Sequence, residues 1–205
     1  MADSNITKKA LAQALRELMG ETPFEKINVA QICEKCGMNC KSFYYHFKDK
    51  YDLVNWIFDT DFIRLMSNWP PDDEWGFIER LCHYFYDNRS FYRRALMVCG
   101  QNSFSEHFRE FIHPLLKDRM QAVSGRDDIH PMCIDFMTDA FECALIRWLT
   151  DKNCMPADQF IQIFRTLIEE TALDVCRHMD AFNQPTVSPS ETPSSKSAPG
   201  HSEIH

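Results

Sequence analysis

Residues 28–54 read NVAQICEKCGMNCKSFYYHFKDKYDLV, and this stretch decides the fold. Asn28 is an N-cap with Gln31 three residues on, the pairing of a capping box. Val29, Ile32, Cys33 and Cys36 then fall on one side of a short helix, and Gly37 ends it. Asn39 caps a second short helix, in which Phe43 and Phe47 stand at i and i+4. Asp49 caps a third, longer helix running through Leu53, Trp56, Ile57, Ile63 and Leu65 until Pro70-Pro71 stops it. Two short helices joined by a tight glycine turn form a helix-turn-helix, whose second helix can enter a DNA major groove. Met38 points back into the small core, and Phe43 and Phe47 anchor the second helix from behind. That leaves Cys40, Lys41, Ser42, Tyr44, Tyr45 and His46 wholly or partly on the front.

Working outward, the same periodicity continues in both directions. Upstream, Leu11, Leu15, Leu18 and Met19 mark a helix over 7–19 that Gly20 stops. Downstream, helices are predicted near 73–88, 90–99, 103–123, 131–151 and 157–180, divided by Gly100, by SGRDDIHP and by KNCMP. Pro114 should kink the third of these. Val and Ile together are only 20 of the 205 residues, and no Asn-Gly or Asp-Gly pair separates alternating runs, so strand signals are nearly absent. The fold class is therefore all-α, with about nine helices: a three-helix DNA-binding domain over 1–50 and a helical regulatory and dimerisation bundle over 51–182. Residues 183–205 carry four prolines and three apolar side chains, too few to offset the entropy of ordering, and read as a disordered tail.

The net charge of −8 argues at first against a nucleic-acid partner. It is unevenly divided. Residues 1–55 hold 8 basic and 7 acidic side chains, whereas the remainder hold 14 and 23, so only the first quarter could sit against a polyanion. No stretch approaches the ~20 apolar residues of a membrane span, and MADSNITKKALAQAL lacks a signal-peptide cleavage pattern, which points to a soluble, cytoplasmic protein. Nine cysteines, an odd number, fit reduced thiols in a reducing compartment. Phosphate-binding glycine loops, nucleophile motifs and H-E-x-x-H are absent, so neither enzymatic activity nor a cofactor is expected.

The leading helix, VAQICEKCGM, SFYYHFKDK and the Leu-Val that follows resemble the TetR family of bacterial transcriptional regulators over roughly residues 7–56. The details are similar to the regulators of dihydroxyacetone kinase operons. The resemblance implies phosphate contacts from Lys41 and Lys50 at helix starts and from Asn28 at an N-cap, where backbone N–H groups also point outward. It further implies that Tyr44 and His46 reach backbone oxygens, while Ser42 and Tyr45 meet base edges or thymine methyls. Tyr44 as a packed core aromatic and His46 in a local structural hydrogen bond remain open alternatives. Cys40 departs from the family pattern, where small, polar or basic residues are commoner, and its exposed thiol could make operator binding redox-sensitive.

Cys33, Cys36 and Cys40 read as C-x2-C-x3-C, but zinc sites draw four ligands from two separated knuckles, and only His46 stands nearby. Small-residue packing and no metal is the reading adopted. In the bundle, an effector cavity between helices is expected. Its candidate lining is Phe62, Phe85, Tyr92, Phe104, His107 and Phe111, together with Trp56, Trp69, Phe77 and Met97, though an apolar stripe at helical spacing is more simply core. His83 is a second histidine without an obvious packing role. The last two helices carry stripes through Phe136, Ala140, Ala144 and Trp148 and through Phe160, Ile163, Phe164, Leu167, Ile168 and Ala172, suited to homodimerisation through 131–151 and 157–180. The implied partners are a double-stranded DNA operator, a second copy of the chain, and either a small-molecule effector or a protein coactivator; a membrane is not among them.

Overall fold

The computed structural model describes residues 2–66, 75–98 and 103–183, and among these residues the chain forms nine α-helices, one 3₁₀ turn and no strand. Helix α1 (Ala2–Glu21) leads through the 3₁₀ turn Phe24–Lys26 to α2 (Val29–Lys35), α3 (Cys40–His46) and α4 (Lys50–Met66). Helices α5 (Gly76–Asp87), α6 (Arg89–Ala95), α7 (Phe104–Ser124), α8 (Pro131–Thr150) and α9 (Ala157–Asn183) follow. Helix α1 begins earlier than the apolar pattern indicated, because its first turn is polar and exposed on the residues described there. The proline stop at 70–71, Trp69, Gly100 and the tail from 184 onward lie outside the described residues.

Local chemistry fixes the segment 28–54. The Asn28 side chain accepts from the Gln31 N–H at 2.9 Å while the Gln31 side chain accepts from the Asn28 N–H at 2.9 Å. This reciprocal cap satisfies two of the orphan donors that a helix N-terminus leaves. At the other end of α2, the Gly37 N–H donates to the Glu34 carbonyl and the Met38 N–H to the Cys33 carbonyl at 2.8 Å, a Schellman closure. Gly37 sits at φ +69°, the left-handed region in which a side chain is strained, so the turn between the helices requires glycine. Asn39 caps α3 through the Ser42 N–H at 2.8 Å, and Asp49 caps α4 through the N–H groups of Tyr51 and Asp52. Each such cap is worth about 1 kcal/mol.

Packing then orders these helices. Phe43 is completely buried beneath α3 and Phe47 nearly so, with Ile32 and Cys33 of α2 beside them in the core. Phe47 meets Trp56 of α4 edge to face, and Phe24 meets Tyr51 in the same way, so α4 grips the headpiece with its first turns. Its later turns enter the body: Phe58 contacts Phe62, Tyr84, Phe85, Tyr92, Phe104, Phe108 and Phe111 at centroid separations of 5.2–6.3 Å. Helix α7 runs unbroken through Pro114 and ends at Gly125, again left-handed at φ +67°.

The apolar stripes of the last two helices do not stay on one face. Phe136 and Ala140 are exposed, whereas Trp148 is buried and stacks on Phe160 at 4.1 Å. On α9, Phe160, Phe164 and Ile168 are buried while Ile163 and Leu167 are exposed. Side chains repeating every four residues rotate by about 40° per step around a 3.6-residue helix, so a run of three steps moves from the outer surface into the core. The outward apolar face is therefore narrower than the sequence suggested: Met132, Phe136 and Ala140 on α8, with Ile163 and Leu167 on α9.

Candidate nucleic-acid interface

Helix α3 is held from behind by Phe43 and Phe47, which turns its remaining side chains outward. Cys40, Lys41, Tyr44 and Tyr45 are exposed, Tyr45 at 82% and Tyr44 at 61%. That exposure places Tyr44 outside the core, although its ring rests edge-on against Phe43 at 5.5 Å. His46 is half-buried, with its ring against Tyr45 at 4.8 Å and Phe47 at 6.4 Å. Ser42 is half-buried too, and its hydroxyl donates to the Asn39 side chain at 3.1 Å, so part of its hydrogen-bonding capacity is spent on the cap. Asn28 is exposed but its carbonyl oxygen is committed to the capping box.

Lys50 is placed differently from the phosphate contact expected of it. Its ammonium donates to the carbonyls of Phe24 at 2.7 Å, Glu25 at 3.2 Å and Ile27 at 2.7 Å, and lies 4.5 Å from the Phe24 ring centre. Partial burial lowers its pKa, opposed by the charges of Glu25 and Asp49. The three donors of the ammonium thus close the 3₁₀ turn onto α4, an internal anchor that a Lys at a helix start does not reveal in sequence. Lys48, which the sequence reasoning passed over, is exposed beside the end of α3 and its N–H donates to Asp52 at 2.9 Å. The signal that could have found it is position alone, in the turn directly after the FYYHF run.

Cys33 is in the core, and burial and the neighbouring Cys40 thiol push its pKa up to about 11. Cys36 donates its thiol to the Ile32 carbonyl at 3.3 Å, and burial raises its pKa as well. Among the described residues no group of three His, Cys, Asp or Glu side chains is arranged to hold a metal ion. No helix among them is long and apolar enough to cross a membrane.

Most of the residues proposed to line an effector cavity pack together as an aromatic cluster around Phe58. Phe62, Phe85, Tyr92 and Phe104 are at most 2% exposed and pack on Phe58 and one another. Phe111 is partly buried against Phe58, Phe62 and Phe77. Met97 is exposed, and Trp56 belongs to the α4–headpiece contact. His107 pairs with Asp59 at 2.8 Å and His83 with Asp158 at 3.1 Å, so both histidines have ionic partners on other helices. Two clefts open elsewhere, one of about 220 Å³ between α1 and α4 and one of about 200 Å³ beside Phe77, Leu115 and Arg119.

Residues 11–57 match the family described as bacterial regulatory proteins, tetR family, and residues 73–170 match a transcriptional regulator C-terminal region. The chain is similar to the HTH-type dhaKLM operon transcriptional activator DhaS of Lactococcus lactis subsp. lactis (strain IL1403), 30% identical over 101 residues. That match covers 48% of this chain and 53% of the relative, so it spans about half the length of the curated relative. A TetR transcriptional regulator from Streptococcus agalactiae 2603V superposes with a TM-score of 0.66 at 19% identity, over 82% of this chain and 96% of that one. A TetR-family regulator from Syntrophomonas wolfei str. Goettingen gives 0.64 at 13% identity, over 90% and 99%. At these identities the two structures show the shared fold.

Two outcomes test this geometry. Lys50→Met should lower stability by about 1–2 kcal/mol in urea unfolding, because three carbonyls lose their donor. Lys41→Ala should leave stability unchanged but reduce the slope of log Kd against log salt for DNA by about 1. Separately, Asp59 raises the pKa of His107, chiefly by hydrogen bonding. A raised folded pKa contributes stability that is complete below the unfolded value near 6.5 and lost as pH rises through the folded value. The urea midpoint of the wild type should therefore fall more than that of His107→Gln as pH is raised above about 6.5.

Proposed function

The chain belongs to the TetR family of bacterial transcriptional regulators, and on that premise we propose that it binds a pseudo-palindromic operator as a homodimer whose DNA affinity is set by a signal received in the helical body. The observation that carries this reading is the outward face of α3. An exposed lysine and two exposed tyrosines stand on a helix whose start, back and preceding turn are all fixed by caps, aromatic packing and a left-handed glycine. Lys41 supplies charge at the helix start, and backbone N–H groups there add partial positive charge. Tyr45 reads base edges or thymine methyls, Tyr44 and His46 bond phosphate oxygens, and Lys48 takes the flanking phosphate role. Ser42 and Asn28 contribute what their caps leave available, and Cys40 lies at the rim of the same face.

Dimerisation follows from the apolar face of Met132, Phe136, Ala140, Ile163 and Leu167. Its four large side chains are each more than half exposed in the single chain, and two helices presenting such a face bury it well against a copy of themselves. Two-fold symmetry then spaces two recognition helices for successive major grooves, about 34 Å apart. An effector, by binding one spacing better than another, would shift the population of operator-competent dimers by its differential affinity. The protein would act in the cytoplasm and without catalysis.

A small molecule is one source of that signal. A second is a protein coactivator docking on the body, a reading the close packing of these rings around Phe58 supports. Similarity to an activator of the dhaKLM operon supports the dihydroxyacetone kinase type of regulation for this alternative.

Enrichment of duplexes from a random pool by the full chain tests the reading. The expected result is a motif with two inverted half-sites, bound by a dimer. Tyr45→Ala should weaken binding to that motif tenfold or more while leaving non-specific binding unchanged. Phe136→Asp with Leu167→Asp should yield a folded monomer by sedimentation that no longer binds the paired site. Enrichment of single half-sites by a monomeric wild type would refute the dimer.

A further inference from the structure

Arg16 stands on α1 and was not singled out by any sequence motif. Its guanidinium is paired with Asp61 of α4 at 2.5 Å and lies 4.9 Å from the ring centre of Phe91 on α6. Against the rise that burial imposes, its charge lowers the pKa of the Tyr84 hydroxyl on α5. The Tyr84 hydroxyl in turn hydrogen-bonds the hydroxyl of Tyr92 on α6 at 2.5 Å, inside the aromatic cluster where Tyr92 is fully buried. A second tie runs in parallel, from Arg94 of α6 to the Thr22 carbonyl just beyond α1, at 3.2 Å. The start of the chain is thereby tied to α4 and α6 at once.

The packing around this chain of polar groups is incomplete. The cleft of about 220 Å³ opens along the seam between α1 and α4 and is lined in part by Lys9, Gln13, Arg16, Trp56, Thr60 and Asp61. Where apolar surfaces do not interlock, relative sliding costs little, and a directional guanidinium–carboxylate pair sets the register. The Arg16–Asp61 pair is only partly buried, and ion pairs of that kind contribute little net stability, so geometry is the property this one supplies. We propose that Arg16 is the positioning residue that fixes the angle of the DNA-reading headpiece on the body, and with it the spacing of the two recognition helices in the dimer. The Tyr84–Tyr92 pair ties α5 to α6, and Phe91 of α6, edge-on to Tyr92 and beneath the guanidinium, carries their displacement to Arg16. Burial raises the pKa of both hydroxyls, that of Tyr84 to about 12, so the link between them is a neutral hydrogen bond at ordinary pH.

The proposal rests on the reading of the chain as an operator-binding dimer, and the test separates the two. The full chain is used with the duplex that the wild type enriches, and with Asp61→Asn, Arg16→Met and the paired replacement Arg16→Met with Asp61→Leu. Urea midpoint, operator Kd and amide hydrogen exchange are measured on each. Asp61→Asn should weaken operator binding about tenfold, speed exchange in residues 2–21 and 89–95, and leave residues 28–46 as protected as in the wild type. The paired apolar replacement should recover the urea midpoint but not the operator affinity, because it restores burial without restoring register. A wild type that enriches no duplex overturns the operator reading and this proposal together. Enrichment by the wild type with variant affinities within twofold of it overturns this proposal alone. So does an affinity loss that simply tracks the urea midpoint across the variants, which is what a merely structural role produces.

Discussion

The ring of Phe58, near the middle of α4, is the contact on which the remaining structure depends. It is completely buried and touches rings from α4, α5, α6 and α7. Each aromatic pair is worth about 0.5–1.5 kcal/mol beyond the area it buries, so this one site ties four helices with several such pairs. Because the same helix closes the headpiece through Tyr51 and Trp56, the two ends of α4 are committed to different partners. The helix is then a shared beam, and the chain's apolar core runs continuously from Leu11 of α1 to Ile168 of α9. A division at residue 50 therefore falls at the start of the element that both halves use, and we place the functional boundary within α4.

This arrangement explains why a seven-residue recognition helix can be used at all. Isolated helices that short are not stable in water, since nucleation fixes several residues before hydrogen bonds accumulate. Helix α3 persists because Asn39 caps its start, Phe43 and Phe47 bury its back, and the Schellman turn at Gly37 fixes its approach angle. The surface proposed to read DNA is ordered entirely from behind. Replacing Phe43 would disorder the reading face without touching one residue that meets DNA.

Much of this was legible in the sequence because the relevant interactions are local. The caps at Asn28, Asn39 and Asp49 and the stop at Gly37 are decided within four residues, and the structure shows each of them. The legible part of the DNA-facing side has the same cause: Phe43 and Phe47 fix which residues of α3 point away from the core. Lys50 was not legible, because its three acceptors lie 23 to 26 residues earlier in a turn that carries no sequence signature. The helix stripes of α8 and α9 were half legible: a fourfold spacing identifies a helix but drifts around it, so the run ending at Trp148 crosses from the surface to the core. Arg16, Asp61, Tyr84 and Tyr92 are spread over 77 residues and come together only through packing, which no periodicity records.

The division of charge acquires a physical role from the same geometry. The headpiece is close to neutral, and its exposed Lys41 and Lys48 flank α3, whereas Lys50 is withdrawn into the protein. With few phosphate contacts per headpiece, counterion release supplies only a modest non-specific affinity, and the acidic body repels the same polyanion. Such a protein cannot rely on electrostatic attraction to stay on an imperfect site. In the proposed dimer, affinity comes from two headpieces engaging together, and this makes binding steeply dependent on their separation and angle. An operator-binding dimer with weak individual headpieces is therefore one in which small displacements within the body, transmitted through α4 and the contacts of α1, are sufficient to change occupancy.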